Sequence, residues 1–305
     1  MKTLDLVNPV RGDIPFSFFT FPDGQPHLEL TTDQPGEWEH VQILTSLKTV
    51  NDIALLGLAV DSVRSVVKGH ITVNIGYMLG ARMDRPIGPG KPHSLKVLAA
   101  MVNAACSEAN DIRVLDPHSK VTTDLLNRCG VINPDKLVQF ALCGQVDRYK
   151  EDSVIVTPDA GAVGRTEAFV KRLALVEDLA FCSKKRDSVT GKLSGFELTK
   201  GNVKDRHCLI IDDLCDGGGT FVGIANVLKE QGALSVSLCV THAILSKGID
   251  ALAGIDTLYT TDSYRTIPEV ETRLNAITYY QGVPNEYPNQ YVMTDFLGQW
   301  VKGPK

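Results

Sequence analysis

The chain reads as an α/β protein built on parallel sheets. Short apolar runs of strand length alternate with longer runs of helical period, and segments rich in Asp, Gly and small residues follow several of the apolar runs, where parallel strands would end. Residues 40–47 form the first buried strand, residues 51–67 have helical spacing, and residues 70–78 return to strand. A helix over 94–106 and a strand over 111–115 complete this half. Residues 124–145 are less regular. The rhythm then restarts with a strand at 153–157, a helix at 163–175, strands at 179–182 and 207–212, a helix at 221–232, and strands at 235–240 and 257–261. Two halves of similar plan result. The boundary is placed in the polar stretch 149–152, giving one domain over residues 1–149 and a second over 150–305.

Composition narrows the function classes. The 31 Lys and Arg against 36 Asp and Glu give a formal charge of -5, which excludes the strongly basic surface of a general nucleic-acid binder, so any anion must be held locally. No apolar run reaches the roughly 18 residues of a membrane span, and the first 13 residues carry no apolar signal core. The expectation is a soluble, cytoplasmic protein with no membrane partner. Seven cysteines, odd in number and never in a CxxC pair, fit reduced packing residues rather than disulfides or zinc. Cys215 is read in the same way, as filler rather than a catalytic thiol.

In parallel α/β sheets ligands gather beyond the carboxyl ends of the strands. Four such endings carry chemistry: LGARMD (79–84), DPHS (116–119), PDAGAVGR (158–165) and DDLCDGGGT (212–220). The strongest is the run HCLIIDDLCDGGGTF at 207–221, a buried strand that ends in two acids and passes through three glycines into a helix. Gly217, Gly218 and Gly219 allow successive backbone N–H groups to face one concavity, and the helix dipole adds positive potential there. Asp216 and Thr220 border this nest. Asp212 and Asp213 suit the vicinal hydroxyls of a sugar, so the whole reads as a ribose-phosphate site.

This loop resembles the signature of type I phosphoribosyltransferases and of ribose-phosphate diphosphokinases, the phosphoribosyl pyrophosphate synthetases. The first half favours the diphosphokinases through FPDGQ (21–25), ARMDR (81–85) and DPHS (116–119), where that family has D-x-H. The second half adds PDAG (158–161), KKR (184–186), GNVKDR (201–206) and THAILSKG (241–248). Each motif is short, but their shared order and spacing are specific. The resemblance implies two tandem type I phosphoribosyltransferase-like domains, an ATP-side domain followed by a ribose-phosphate-binding one, with the active site between them. It also implies a final segment that packs back on the first domain, and a homo-oligomer.

The activity so implied is transfer of the diphosphoryl group of ATP to the anomeric hydroxyl of ribose 5-phosphate, with Mg2+ as cofactor. Positioning and cations must supply the catalysis, and the resemblance points to Lys184, Arg186 and Arg82 for the phosphoryl charge. It assigns His118 to the ATP phosphates and magnesium, and Asp159 to the metal. Phe21 is expected to stack on adenine, with Asp23 and Gln25 reading its polar edge. Lys184 and Arg186 are expected to follow a strand ending at Cys182, with residues 188–195 as a mobile loop. His242 and Ser246 are read as neighbours of the site without a role.

Three departures from the family pattern stand out. Gly217 replaces the threonine that contacts the 5-phosphate, which removes a hydroxyl and opens space. That suits a bulkier acceptor such as ADP-ribose, which would tie the protein to NAD metabolism. Gln25 and Met83 differ from the usual residues on the ATP side, and PIGPGKPH (86–93) lacks the usual basic run. Three readings therefore stand beside the leading one: the same chemistry on ADP-ribose, a phosphoribosyltransferase, and a catalytically silent regulatory partner.

Overall fold

The computed structural model describes residues 1–31, 38–149, 152–173, 178–186, 193–265 and 275–278, and it divides into two units, Met1–Asn133 and Pro134–Lys305. The first unit begins with β1 (Lys2–Asp5) and an antiparallel hairpin of β2 (Phe16–Thr20) and β3 (Pro26–Leu30). Then come β4 (His40–Thr45), α1 (Val50–Val66), β5 (His70–Ile75), α2 (Ser94–Ala105), β6 (Asp111–Leu115), α3 (Lys120–Leu125) and β7 (Cys129–Ile132). Its five-stranded sheet has the order β1-β4-β5-β6-β7, and every pair is parallel.

Local chemistry sets where α1 begins. The Asp52 N–H donates to Thr49 Oγ1 at 3.3 Å, and the Asp52 carboxylate accepts the Thr49 N–H at 2.6 Å. This capping box satisfies two donors that the first turn would leave open. The helix then buries Leu56, Ala59, Val60 and Val63 against Ile43, Val73 and Ile112 of the sheet. Leu28 joins that core from the hairpin, so β3 is tied to the unit while the turn at its start stays exposed.

The second unit contains α4 (Asp135–Tyr149), β8 (Ser153–Thr157), α5 (Val163–Leu173), β9 (Asp178–Arg186), β10 (Leu193–Lys200), β11 (His207–Cys215), α6 (Gly219–Glu230), β12 (Ser235–Ala243), β13 (Thr257–Thr260) and β14 (Asn275–Thr278). The sheet order is β10-β9-β8-β11-β12-β13-β14, parallel except for the β9/β10 pair. Val154, Val156 and Ile210 face one core with Phe221 and Ile224 of α6. Ile155, Leu209 and Ile211 face the other with Phe169 of α5. Burial of both faces explains why these strands are continuous apolar runs rather than alternating ones.

The sheet reverses direction beside β8. From β8 the chain crosses through α5 to β9 on one side, whereas β11 lies on the other side and continues away through α6 to β12. Helices on opposite faces leave a crevice at the carboxyl ends of β8 and β11.

The boundary differs from the one expected at residues 149–152. Leu137, Val138, Ala141 and Leu142 of α4 are buried against Ile155, Leu209 and Tyr259, and Arg172 Nε of α5 donates to Asp135 Oδ1 at 2.9 Å. Helix α4 therefore belongs to the second unit, and the division falls at Asn133/Pro134. The stretch 124–145, read as irregular, contains β7 and most of α4. Among the described residues no helix is long and apolar enough to cross a membrane, and Cys106, Cys129, Cys182, Cys208, Cys215 and Cys239 form no disulfide.

Candidate functional site

The acids Asp212 and Asp213 lie inside β11, which runs three residues past the expected end at Asp212 because it stays paired with β12 as far as Cys215 and Ala243. The Asp213 N–H donates to Asp212 Oδ1 at 2.9 Å, and the Asp213 side chain is buried. Burial, then the adjacent Asp213 charge, push the Asp212 carboxyl well above the ordinary carboxylate range, with Arg165 opposing. Arg165 Nη2 stands 3.9 Å from Asp213 Oδ2. Burial and the mutual repulsion of the two acids are what a hydroxyl-rich or cationic ligand would relieve.

The chain then turns through Asp216 and Gly217 to Gly218, the residue preceding α6. Gly218 has φ 76°, and a Cβ there would lie 2.6 Å from Leu252 Cδ2, in the core. Only glycine meets both demands. Gly218→Ala is expected to cost about 1–3 kcal/mol through backbone strain and displacement of Leu252. Thermal unfolding of the variant checks this, and an unchanged Tm would show that the turn can relax. Beyond Gly218, the N–H groups of Gly219, Thr220 and Phe221 lie in the first turn of α6, where no intrahelical carbonyl can accept them. Cys215 is fully buried and its thiol is pushed up to about 12 by burial, which agrees with the reading as packing.

Asp159 follows β8. Its Oδ1 accepts the Gly161 and Ala162 N–H groups at 2.9 and 3.2 Å, and its Oδ2 accepts Lys184 Nζ at 2.7 Å. Burial alone would raise this carboxyl, but the hydrogen bond and charge of Lys184 and the two amides outweigh it and hold it below its ordinary value. Lys184 and Arg186 do not follow a strand that ends at Cys182. β9 continues to Arg186 because β10 supplies an antiparallel partner, with Lys184 opposite Phe196. The Arg186 side chain, residues 188–192 of the expected loop, and the C-terminal stretch beyond Thr278 lie outside the described residues.

Two cations at this edge carried no assignment from the sequence. Arg165 is in the first turn of α5, beside the acid pair. Lys247 lies in the turn after β12, where its side chain covers Gly217: a Cβ on Gly217 would be 3.4 Å from Lys247 Cδ and Cε. His242, by contrast, is buried with its Nδ1 2.8 Å from Ser263 Oγ, which makes it structural support. Ser246 is exposed.

The first unit holds the residues expected on the ATP side. Residues 21–25 form the hairpin turn: the Phe21 N–H donates to the Gln25 carbonyl at 2.8 Å, and the Gln25 N–H to Asp23 Oδ1 at 3.1 Å. Phe21 is 41% exposed, and its ring packs edge-on to Phe19 at 4.8 Å and tilted to His27 at 5.8 Å. Arg82 lies beyond the carboxyl end of β5, and His118 beyond that of its neighbour β6; both are exposed. They share one end of the sheet. Asp116, between β6 and His118, is buried with φ 39° and donates its N–H to the Ile132 carbonyl at 2.9 Å. Among the described residues no three His, Cys, Asp or Glu converge as a metal cage.

A family model described as "Phosphoribosyl transferase domain" matches residues 140–266. The chain is 30% identical over 265 residues to the ribose-phosphate pyrophosphokinase of Rhizobium meliloti (strain 1021), covering 84% of this chain and 81% of that protein. It is 32% identical over 234 residues to the ribose-phosphate pyrophosphokinase of Hyphomonas neptunium, covering 74% and 71%. The phosphoribosylpyrophosphate synthetase of Mycobacterium smegmatis superposes with a TM-score of 0.70 at 23% identity, over 85% of this chain and 84% of that one.

Proposed function

Because the chain belongs to the ribose-phosphate pyrophosphokinase family, we propose that it transfers the β,γ-diphosphate of ATP to the anomeric hydroxyl of ribose 5-phosphate. The supporting observation is the acid pair Asp212 and Asp213 next to the glycine turn and the start of α6, placed at the sheet reversal. The C1 hydroxyl oxygen bonds to the β-phosphorus while the bond from that phosphorus to the α-phosphate oxygen breaks, releasing AMP and the hydroxyl proton. Asp212 and Asp213 accept hydrogen bonds from the ribose hydroxyls and so orient the nucleophile. The amides at the start of α6 hold the 5-phosphate. Lys184 and Arg186 meet the charge that gathers on the phosphoryl oxygens.

On the ATP side, Phe21 stacks on adenine, Asp23 and Gln25 read its polar edge, and Arg82 and His118 contact the phosphates. Magnesium, which neutralises phosphate charge when bound, is part of the proposal. Asp159 accepts three hydrogen bonds, two on Oδ1 and one from Lys184 on Oδ2, so it would share Oδ2 between the lysine and magnesium. The adjacent carboxylates of Asp212 and Asp213, which repel each other, fit a cation held mainly by phosphate oxygens. Action in the cytoplasm and homo-oligomeric assembly are expected from the family.

ADP-ribose is the weaker reading of the acceptor. The stem of Lys247 borders the space beside Gly217 at van der Waals distance, so the missing side chain leaves no open cleft that argues for a larger 5-substituent. The deciding assay supplies ATP and magnesium with ribose 5-phosphate or ADP-ribose as sole acceptor and identifies the product by mass. Phosphoribosyl pyrophosphate and AMP are expected from ribose 5-phosphate. Faster turnover of ADP-ribose would reverse the assignment, and a dependence on a nucleobase without ATP would make the protein a phosphoribosyltransferase. Protein that consumes no ATP with either acceptor while binding an active homologue would be the silent partner.

A further inference from the structure

The turn that carries Lys247 is built onto the phosphate loop. The Ile244 and Leu245 N–H groups both donate to the Cys215 carbonyl, at 2.8 and 3.2 Å. Cys215 is the last residue of β11, immediately before the loop. Arg265 fixes the other side of the turn, with Nε donating to the Ile244 carbonyl at 2.6 Å and Nη2 to that of Leu245 at 3.1 Å. Leu245 has φ 49°, and the Gly248 N–H closes onto its carbonyl at 2.8 Å. A non-glycine residue in the left-handed region is sustained only where its surroundings over-determine it. The position of the Lys247 backbone is therefore coupled to the loop that begins at Asp216.

From that turn the lysine stem runs across Gly217. A Cβ on Gly217 would lie 3.4 Å from Cδ and Cε of Lys247 and 3.7 Å from Cγ, which is ordinary van der Waals contact, so the lysine methylenes run directly alongside position 217. Among the described residues the Lys247 ammonium has no hydrogen-bond or ion-pair partner, and the residue is exposed. A cation with four rotatable bonds, anchored beside a phosphate loop that has lost its hydroxyl, supplies what that loop lacks.

Resting on the ribose-phosphate reading above, we infer that Lys247 binds the 5-phosphate of the acceptor across Gly217, replacing the side-chain contact that position 217 does not make. The contact is made equally to ground state and transition state, because the 5-phosphate lies away from the reacting C1 oxygen. It strengthens acceptor binding and leaves the chemical step alone.

The test uses the full chain with Lys247→Met, which keeps the stem and removes the charge, and Lys247→Arg, which restores a cation. Binding of ribose 5-phosphate is read by calorimetry, and kcat and KM by phosphoribosyl pyrophosphate formation. Loss of one charge-assisted contact predicts a rise of roughly tenfold or more in Kd and in KM for ribose 5-phosphate with Lys247→Met. The KM for ATP and kcat are expected to stay within about twofold, the pattern of uniform binding. Lys247→Arg is expected to recover most of the affinity; a merely structural lysine stem would be served as well by methionine. A Lys247→Met protein that binds ribose 5-phosphate as tightly as the wild type overturns the inference. Since binding is read apart from turnover, a wild type that binds ribose 5-phosphate without reacting sinks the proposed activity but still tests Lys247. A wild type that binds none sinks both.

Discussion

Replacing Lys184 by alanine is expected to lower kcat by roughly two to three orders of magnitude, the usual cost of deleting one charge that meets a transition state. KM for either substrate should change far less, because the contact strengthens only as charge gathers on the transferring group. The ammonium is 2.7 Å from Asp159 Oδ2, so the ion pair holds the lysine at the sheet edge. That pairing also gives the experiment an internal control. With Lys184 gone, Asp159 loses the main partner that keeps its carboxyl below the ordinary value, and its pKa should rise. A variant with normal kcat would remove Lys184 from the mechanism. One with low kcat and a fully unfolded second unit would show that the ion pair is needed for the fold.

Asp212→Asn should abolish saturable binding of ribose 5-phosphate while raising the stability of the free protein at neutral and alkaline pH. Burial and Asp213 raise the folded-state pKa of Asp212 above its unfolded value. A raised carboxyl contributes stability that is fully present below the unfolded pKa and is lost as pH rises through the folded one. The wild type therefore bears a growing penalty as pH climbs, and an asparagine does not. Relief of roughly 1 kcal/mol would lift Tm by about 2–4 °C for a unit of this size. The function responds with the opposite sign: ionised acids accept the ribose hydroxyls better, so acceptor affinity should strengthen as pH rises through the same range. Thermal scans and binding titrations across pH check both limbs. A variant with lower Tm at high pH would mean that Arg165 fully compensates the pair.

The central sheets were legible because each apolar run between residues 40 and 261 has the length and polarity of a strand buried on both faces. The elements that escaped have weaker local signals. β1 and β7 have four residues each, and β7 is partly exposed. β10 is an edge strand that pairs mostly with the part of β9 beyond Cys182. In α4, Leu137, Val138, Ala141 and Leu142 do have helical spacing, but they follow Asn-Pro and contain no long apolar run. A count of that spacing would have found the helix. Its membership in the second unit was not readable, since only packing against Ile155 and Tyr259 assigns it there.

The residues of the candidate site divide in the same way. The order of chemistry along the chain, namely acids, glycines and a helix start after one strand, and Asp159 after another, was set by the sequence alone. Backbone N–H direction and strand termination are local properties that adjacent residues control. Which side chains meet across strands was decided by the tertiary structure. Asp159 and Lys184 are 25 positions apart, Arg165 and Asp213 are 48 apart, and Gly217 and Lys247 are 30 apart. Each pair is joined by the placement of β8, β9, β11 and β12 side by side. Gly217 is the clearest case: in the sequence it reads as missing bulk and added space, whereas the fold lines that space with a lysine from the next strand's turn. Pairing in a parallel sheet is non-local, so the composition of a loop cannot report what a neighbouring strand end brings to it.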